Sequence, residues 1–235
     1  MHPNIWTHPE QPRRAGPLTR DDIVRAGIEV ADAGGPSALT MAAVAHRLGP
    51  YTPMALYRHV LNKDGLVDLM LDRVTAEIPV PPGPGPDWRA DLRAVATAGW
   101  SMVKRHLWYA QLMPTRPPLG PHLLRRTEFK LTVLTGAGAT IGAAMTYAAL
   151  LDRHVLGNAV QEAEEQAMRR RLGLDDEPAL VAALAGAREV AVAGGHRLLA
   201  QWMAAPTGPG LDEQFELSLG FLLDGIASRL RAVSP

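Results

Sequence analysis

The residues most suited to chemistry lie between Thr40 and Lys63, a stretch that holds Arg47, Arg58 and Lys63 and no acid. Helical spacing can bury Met41, Val44, Ala45, Leu48 and Leu56 while turning Thr52, Pro53, Met54, Tyr57, Arg58 and His59 outward. An outward group of that composition offers donors for phosphate oxygens, an apolar contact for a thymine methyl and hydrogen bonds for base edges. An ordinary helical hairpin inside a bundle carries the same pattern, and residue types alone leave both readings open.

A second constellation lies further along. Tyr147, Leu151, His154, Asn158 and Glu162 recur at spacings of three and four, which puts them on one helical stripe. They could line a pocket for a small ligand, pair across a dimer interface or face solvent. His154 and Glu162 could also serve as acid and base of an all-helical enzyme. A lone His and one acid make a weak metal site, and no metal or cofactor is expected. Trp100, Trp108, Met113, Phe129, Met145 and Trp202 supply large adaptable side chains that suit either a core or an apolar pocket with a few polar handles. With Tyr147, His154 and Asn158 they form the expected ligand pocket. Glu162, Glu164 and Glu165 with Arg169, Arg170 and Arg171 read as a solvated helix face. Gly136, Gly138 and Gly142 lack the spacing of a dinucleotide loop, and neither HExxH nor a serine elbow is present.

Helices must position these groups. Ala, Leu and Arg abound, and only 5% of the residues are aromatic, which favours helix over sheet. Thr19 with Asp22 resembles a capping box, and Ile23, Ala26, Val30 and Ala33 then follow at helical spacing until Gly34-Gly35-Pro36 stops the helix. Thr40 caps a second helix that Gly49 closes, and Thr52 with Pro53 opens a third through Val60. Asn62 opens a fourth, with Leu66, Leu69, Met70, Val74 and Ile78 as its apolar stripe. Prolines through residues 79–86 forbid helix and mark a linker. Beyond it the pattern predicts helices over 87–112, 121–135, 139–171, 178–204 and 211–231. The fold expected is all-α. Its parts are a flexible arm (1–17), a three- or four-helix DNA-binding domain (18–78, helix-turn-helix 41–60), the linker, and a larger helical domain for ligand binding and dimerisation (87–235).

Charge and composition set limits. The chain is neutral overall, with 24 Lys and Arg against 24 Asp and Glu, so any basic face must be local. The arm adds Arg13 and Arg14, placed to reach a neighbouring minor groove. There are no cysteines, which excludes disulfides and thiolate zinc sites and fits a cytoplasmic protein. The uncharged run from Leu131 to Leu151 is rich in Ala, Gly and Thr and broken at Gly136-Ala137-Gly138, so no membrane span is expected.

The run LTMAAVAHRLGPYTPMALYRHVLNKDGLVDL, Leu39 to Leu69, resembles the DNA-binding domain of the TetR family, and the likeness extends from about Leu18 to Ile78. LYRHV followed by Asn62-Lys63-Asp64 is its most diagnostic part. Leu119-Gly120-Pro121 and the stretch from Phe215 to Ile226 resemble, more loosely, the regulatory domain of tetracycline repressors. The resemblance implies that Thr52, Pro53 and Met54 meet base edges, that Tyr57, His59 and Lys63 hold phosphates, and that Thr40 reaches a phosphate from the supporting helix. It departs in two places. Met41 and Ala42 stand where the family often has a polar or basic reader, and Gly49-Pro50-Tyr51-Thr52 is one residue longer than the usual turn, which would bring Tyr51 toward DNA. The implied function is a sequence-specific repressor that binds double-stranded operator DNA as a homodimer and is released by a small, hydrophobic effector. Its dimer would form through Ala182, Ala183, Leu184, Ala187 and Val190 with Leu217, Phe221, Leu222 and Ile226.

Overall fold

The computed structural model describes residues 5–7, 18–115, 119–174, 176–205 and 208–233, and among them there is no strand. Four helices come first: α1 (Arg20–Ala38), α2 (Met41–Leu48), α3 (Pro53–Val60) and α4 (Lys63–Thr75). Seven follow: α5 (Trp88–Arg105), α6 (Trp108–Leu112), α7 (Pro121–Gly136), α8 (Ile141–Leu172), α9 (Glu177–Ala193), α10 (Arg197–Ala204) and α11 (Leu211–Val233). None is long and apolar enough to cross a membrane.

Local chemistry accounts for most helix starts. Thr19 and Asp22 form a reciprocal capping box on α1. Thr40 accepts from Ala43 N at 3.0 Å, and Asn62 accepts from Gly65 N at 2.8 Å. Each such cap is worth about 1 kcal/mol. Thr52 caps α3 through its extended backbone alone, with Pro53 supplying the preset first turn.

Gly35 breaks α1 where expected, leaving helical geometry at φ 72°, and Pro36 opens a separate short turn to Ala38. Two other expectations fail. The helix expected over 87–112 breaks at His106, whose ring is held by Asp32 and Glu77 at 2.8 and 3.2 Å. The helix expected over 178–204 turns back at Gly194-Gly195, with Gly195 at φ 73°, so α9 and α10 form a hairpin.

Ile23, Val44, Leu56, Leu66 and Met70 are fully buried where α1 to α4 meet. The same apolar cluster continues through Leu92, Met102, Leu134, Phe215 and Leu223, so no solvent layer separates the two halves of the chain. Residues 81–86 are exposed, and the halves meet by direct packing of α1 on α6 and of α4 on α5 and α7. Within the segment expected to be a flexible arm, Ile5–Thr7 forms a 3-10 turn on α4, with Ile5 buried. Arg13 and Arg14 lie outside the described residues.

Candidate nucleic-acid interface and regulatory domain

On α3 and its flanks Thr40, Thr52, Met54, Tyr57, Arg58 and Lys63 are exposed, while Pro53 and His59 are half-buried. Met54, at 72% exposure, projects from the first turn of a helix whose Leu56 and Val60 are sealed in the core. Arg20 from α1 donates through Nε to the His59 carbonyl at 2.9 Å, tying the end of α3 to the helix beneath it. Tyr51 is half-buried and packs against the core. Gly49 takes φ 97° and ψ −117°, a conformation with positive φ but not the left-handed helical cap expected of it. The stretch that carries this face is free of acids from Thr40 through Lys63.

Beneath this face a polar junction joins the two halves. Asp32 Oδ1 on α1 accepts from Trp108 Nε1 at 2.6 Å and lies 2.8 Å from His106 Nδ1. Glu77 meets His106 Nε2 at 3.2 Å and Arg105 at 2.6 Å. Thr75, at the end of α4, hydrogen-bonds the buried Tyr109 hydroxyl at 3.0 Å. Asp72, also on α4, accepts from His122 N at 2.9 Å and Leu123 N at 3.2 Å, so it caps α7 from another helix. Burial pushes its carboxyl above the ordinary range, opposed by those same amides. Gly120 makes this cap possible, since a methyl there would lie 2.1 Å from Asp72 Oδ1. Apart from Trp108 and Gly120, no sequence pattern singles out these junction residues, because each pairs with a partner at least 28 positions away.

The residues expected to form one ligand pocket divide among several places. Trp100 stacks on Phe215 at 4.8 Å and donates to Asp212 at 2.8 Å. His154 also stacks on Phe215, at 5.0 Å, and touches Asn158 and Ser218 at 3.4 Å. Trp108 belongs to the junction with Asp32. Phe129 is buried on α7, Met113 and Tyr147 are half-buried against the core, and Met145 and Trp202 are exposed on α8 and α10. Trp100, Trp108 and Trp202 thus do not converge. Glu162 is buried, 4.0 Å from Lys104, and is not part of the solvated face expected for it. His154 and Glu162 have different partners, which removes the geometric basis for their acid–base pairing. Among the described residues no group of three His, Asp or Glu is placed to hold a metal ion.

Known proteins share this arrangement. Residues 81–230 match the family model for the tetracyclin repressor-like C-terminal domain. The HTH-type transcriptional repressor DrrR1 of Streptomyces coeruleorubidus is 36% identical over 227 residues, covering 94% of this chain and 83% of that protein. The solved structure of apo ActR from Streptomyces coelicolor superposes with a TM-score of 0.77 at 26% identity, over 93% of this chain and 99% of that one. ActR in complex with actinorhodin superposes at 0.75 with 27% identity, over 92% and 99%. These relatives are transcriptional regulators and not enzymes. From a family model over the C-terminal domain, a relative at 36% identity across nearly the whole length and an exposed helix-turn-helix in front, it follows that the chain belongs to the TetR family of transcriptional regulators.

Proposed function

We propose that this regulator is a homodimeric repressor that reads its operator with α3 and releases it when a small molecule enters the C-terminal domain. The observation that carries the reading is the acid-free, exposed face of Thr40, Thr52, Met54, Tyr57, Arg58 and Lys63, fastened to the C-terminal domain through Asp32, Asp72 and Thr75. Any rearrangement of α6 or α7 pulls on α1 and α4, and so on the angle at which α3 meets DNA. The coupling path is therefore double, through α1 as well as α4. The repressor function of DrrR1 and the actinorhodin complex of ActR support repression and small-molecule sensing here.

Dimerisation draws support from the apolar residues left uncovered on one protomer. Val181 and Val190 on α9, and Leu217 and Phe221 on α11, are all more than half exposed. Ile226, expected on the same face, is buried in its own protomer instead. A C2 pair would hold the two α3 helices about 34 Å apart, one turn of DNA.

The test is fluorescence anisotropy with a duplex from the promoter nearest the gene, at fixed salt, while a diverse set of small molecules is titrated. The reading expects one dimer per site and release by at least one compound that also binds the chain off DNA. Tight binding that no compound weakens would leave a constitutive repressor.

A further inference from the structure

The ring of His106 stands between two carboxylates that belong to different parts of the chain. It is 8% exposed, in the bend between α5 and α6. Nδ1 lies 2.8 Å from Asp32 Oδ1 on α1, and Nε2 lies 3.2 Å from Glu77 Oε1, just past α4. A neutral imidazole has one N–H and one bare nitrogen, whereas an ionised carboxylate only accepts. Whichever neutral tautomer forms, one nitrogen lone pair would therefore point at a carboxylate oxygen. Only the imidazolium can donate to both.

The charges around the ring lead to the same form. α1 brings Asp32, and the turn after α4 brings Glu77. Arg105 of α5 donates to Glu77 Oε2 at 2.6 Å, so two anions face one cation until His106 carries its second proton. Lys104, beside it, is drawn to Asp212 at 2.7 Å. α6 contributes a neutral donor, Trp108 Nε1, to Asp32 Oδ1 at 2.6 Å, while Tyr109 turns to Thr75. Arg170 of α8 borders the groove that Asp32 and Arg105 also line, and it bonds Gln166 at 3.3 Å. Burial raises the Glu77 carboxyl, but the Arg105 bond and the facing His106 outweigh it and hold the group below its ordinary range.

We propose that His106 is a positioning residue for operator reading and that it acts as the imidazolium, tying α1 and the end of α4 to the α5–α6 bend at once. α3 packs on both α1 and α4, so this one ring helps to set where the recognition helix stands relative to the C-terminal domain. On losing a proton the ring keeps its shorter bond, to Asp32, and the bare Nε2 repels Glu77, which frees the end of α4. Histidine changes charge between pH 5 and 8, so the tie is proton-operated. The proposal rests on α3 as the reading helix and on the effector-free chain as the form that binds DNA.

The experiment measures operator affinity of the full chain by anisotropy from pH 5.5 to 8.5 at fixed salt, for wild type and His106→Gln. The ratio of the two removes the contribution of His46 and His59, the other histidines of the DNA-reading helices. That ratio should grow in favour of wild type by about fivefold or more from pH 8 to pH 6, the low end of allosteric coupling. A merely structural role would lower the variant's affinity by one factor at every pH. If His106→Gln does not fold, nitrogen-15 spectra of the wild-type rings decide. His106 should gain its second ring proton within that range, and the Trp108 indole N–H, which shares Asp32 Oδ1, should shift with it. A constant ratio, a ratio that moves the other way, or a ring in one charge state throughout would overturn the proposal. Equal binding to operator and scrambled duplex at every pH would sink the reading of α3, while the spectra would still decide whether the ring makes the tie. A pH-dependent ratio with no compound able to release the DNA keeps the tie and sinks the sensor.

Discussion

At the scale of single residues, the proposed function divides the work of α3 between positioning and reading. Lys63→Ala and Arg58→Ala should weaken binding to every duplex alike and flatten the dependence of affinity on salt, because each removes one phosphate contact. Thr52→Ala and Met54→Ala should instead change which base pairs are preferred, by about 1–3 kcal/mol at the affected position. Binding to a panel of point-substituted operators separates the two, and four variants with identical profiles would show that α3 does not read the groove. Lys130 provides a stability test. Its folded pKa of about 8 lies below the ordinary 10.5, so between those values the unfolded chain holds the extra proton and folding is favoured as pH rises. Below pH 8 the penalty is fully present. Urea midpoints from pH 8 upward should climb in the wild type relative to Lys130→Met, by up to about 1.4 kcal/mol per unit, and parallel curves would contradict the burial of a charged amine.

At the scale of elements, close approach sets the geometry. A methyl on Gly65 would stand 2.3 Å from the Val60 carbonyl, which is backbone and cannot turn away. Gly65→Ala should therefore cost about 1–3 kcal/mol and lower operator affinity, since the clash falls between the end of α3 and the start of α4. Gly142 on α8 has nothing within 4 Å of the same position, and Gly142→Ala should stabilise by about 0.4–1 kcal/mol. Thermal melts of the two variants test this, and a loss in both would mean that the α3–α4 contact is not special. The contrast also explains what was legible beforehand. Starts at Thr19, Thr40, Thr52 and Asn62 depend on a few adjacent residues, and they could be read in order along the chain. The break at His106 depends on Asp32, 74 positions earlier, and nothing near His106 announces it.

The same distinction holds for the whole molecule. The exposed face of α3 was visible because helical period and turn chemistry are local properties. The side chains expected around one pocket are dispersed because large side chains do not say which neighbours they meet: Trp108 turns to α1, Trp202 to the surface, and Trp100 joins His154 through Phe215. One overlooked signal did exist. Leu123, Arg126, Lys130, Val133 and Leu134 are spaced as the buried stripe of one helix, and two cations within such a stripe need a carboxylate partner, which Asp152 supplies. What unites the scales is that the helix-turn-helix and the regulatory domain are packed on one another without a solvent layer. That arrangement has a purpose only if α3 recognises a particular operator. The most direct measurement is the affinity of the full chain for a duplex from the promoter beside its gene against a scrambled duplex of equal length and composition, from 50 to 200 mM salt. The account predicts a preference of about a thousandfold or more for the promoter duplex, with affinity falling steeply with salt, as specific regulators show. Equal binding to both duplexes, or binding by wild type no different from an Arg58→Ala, Lys63→Ala double variant, would contradict it.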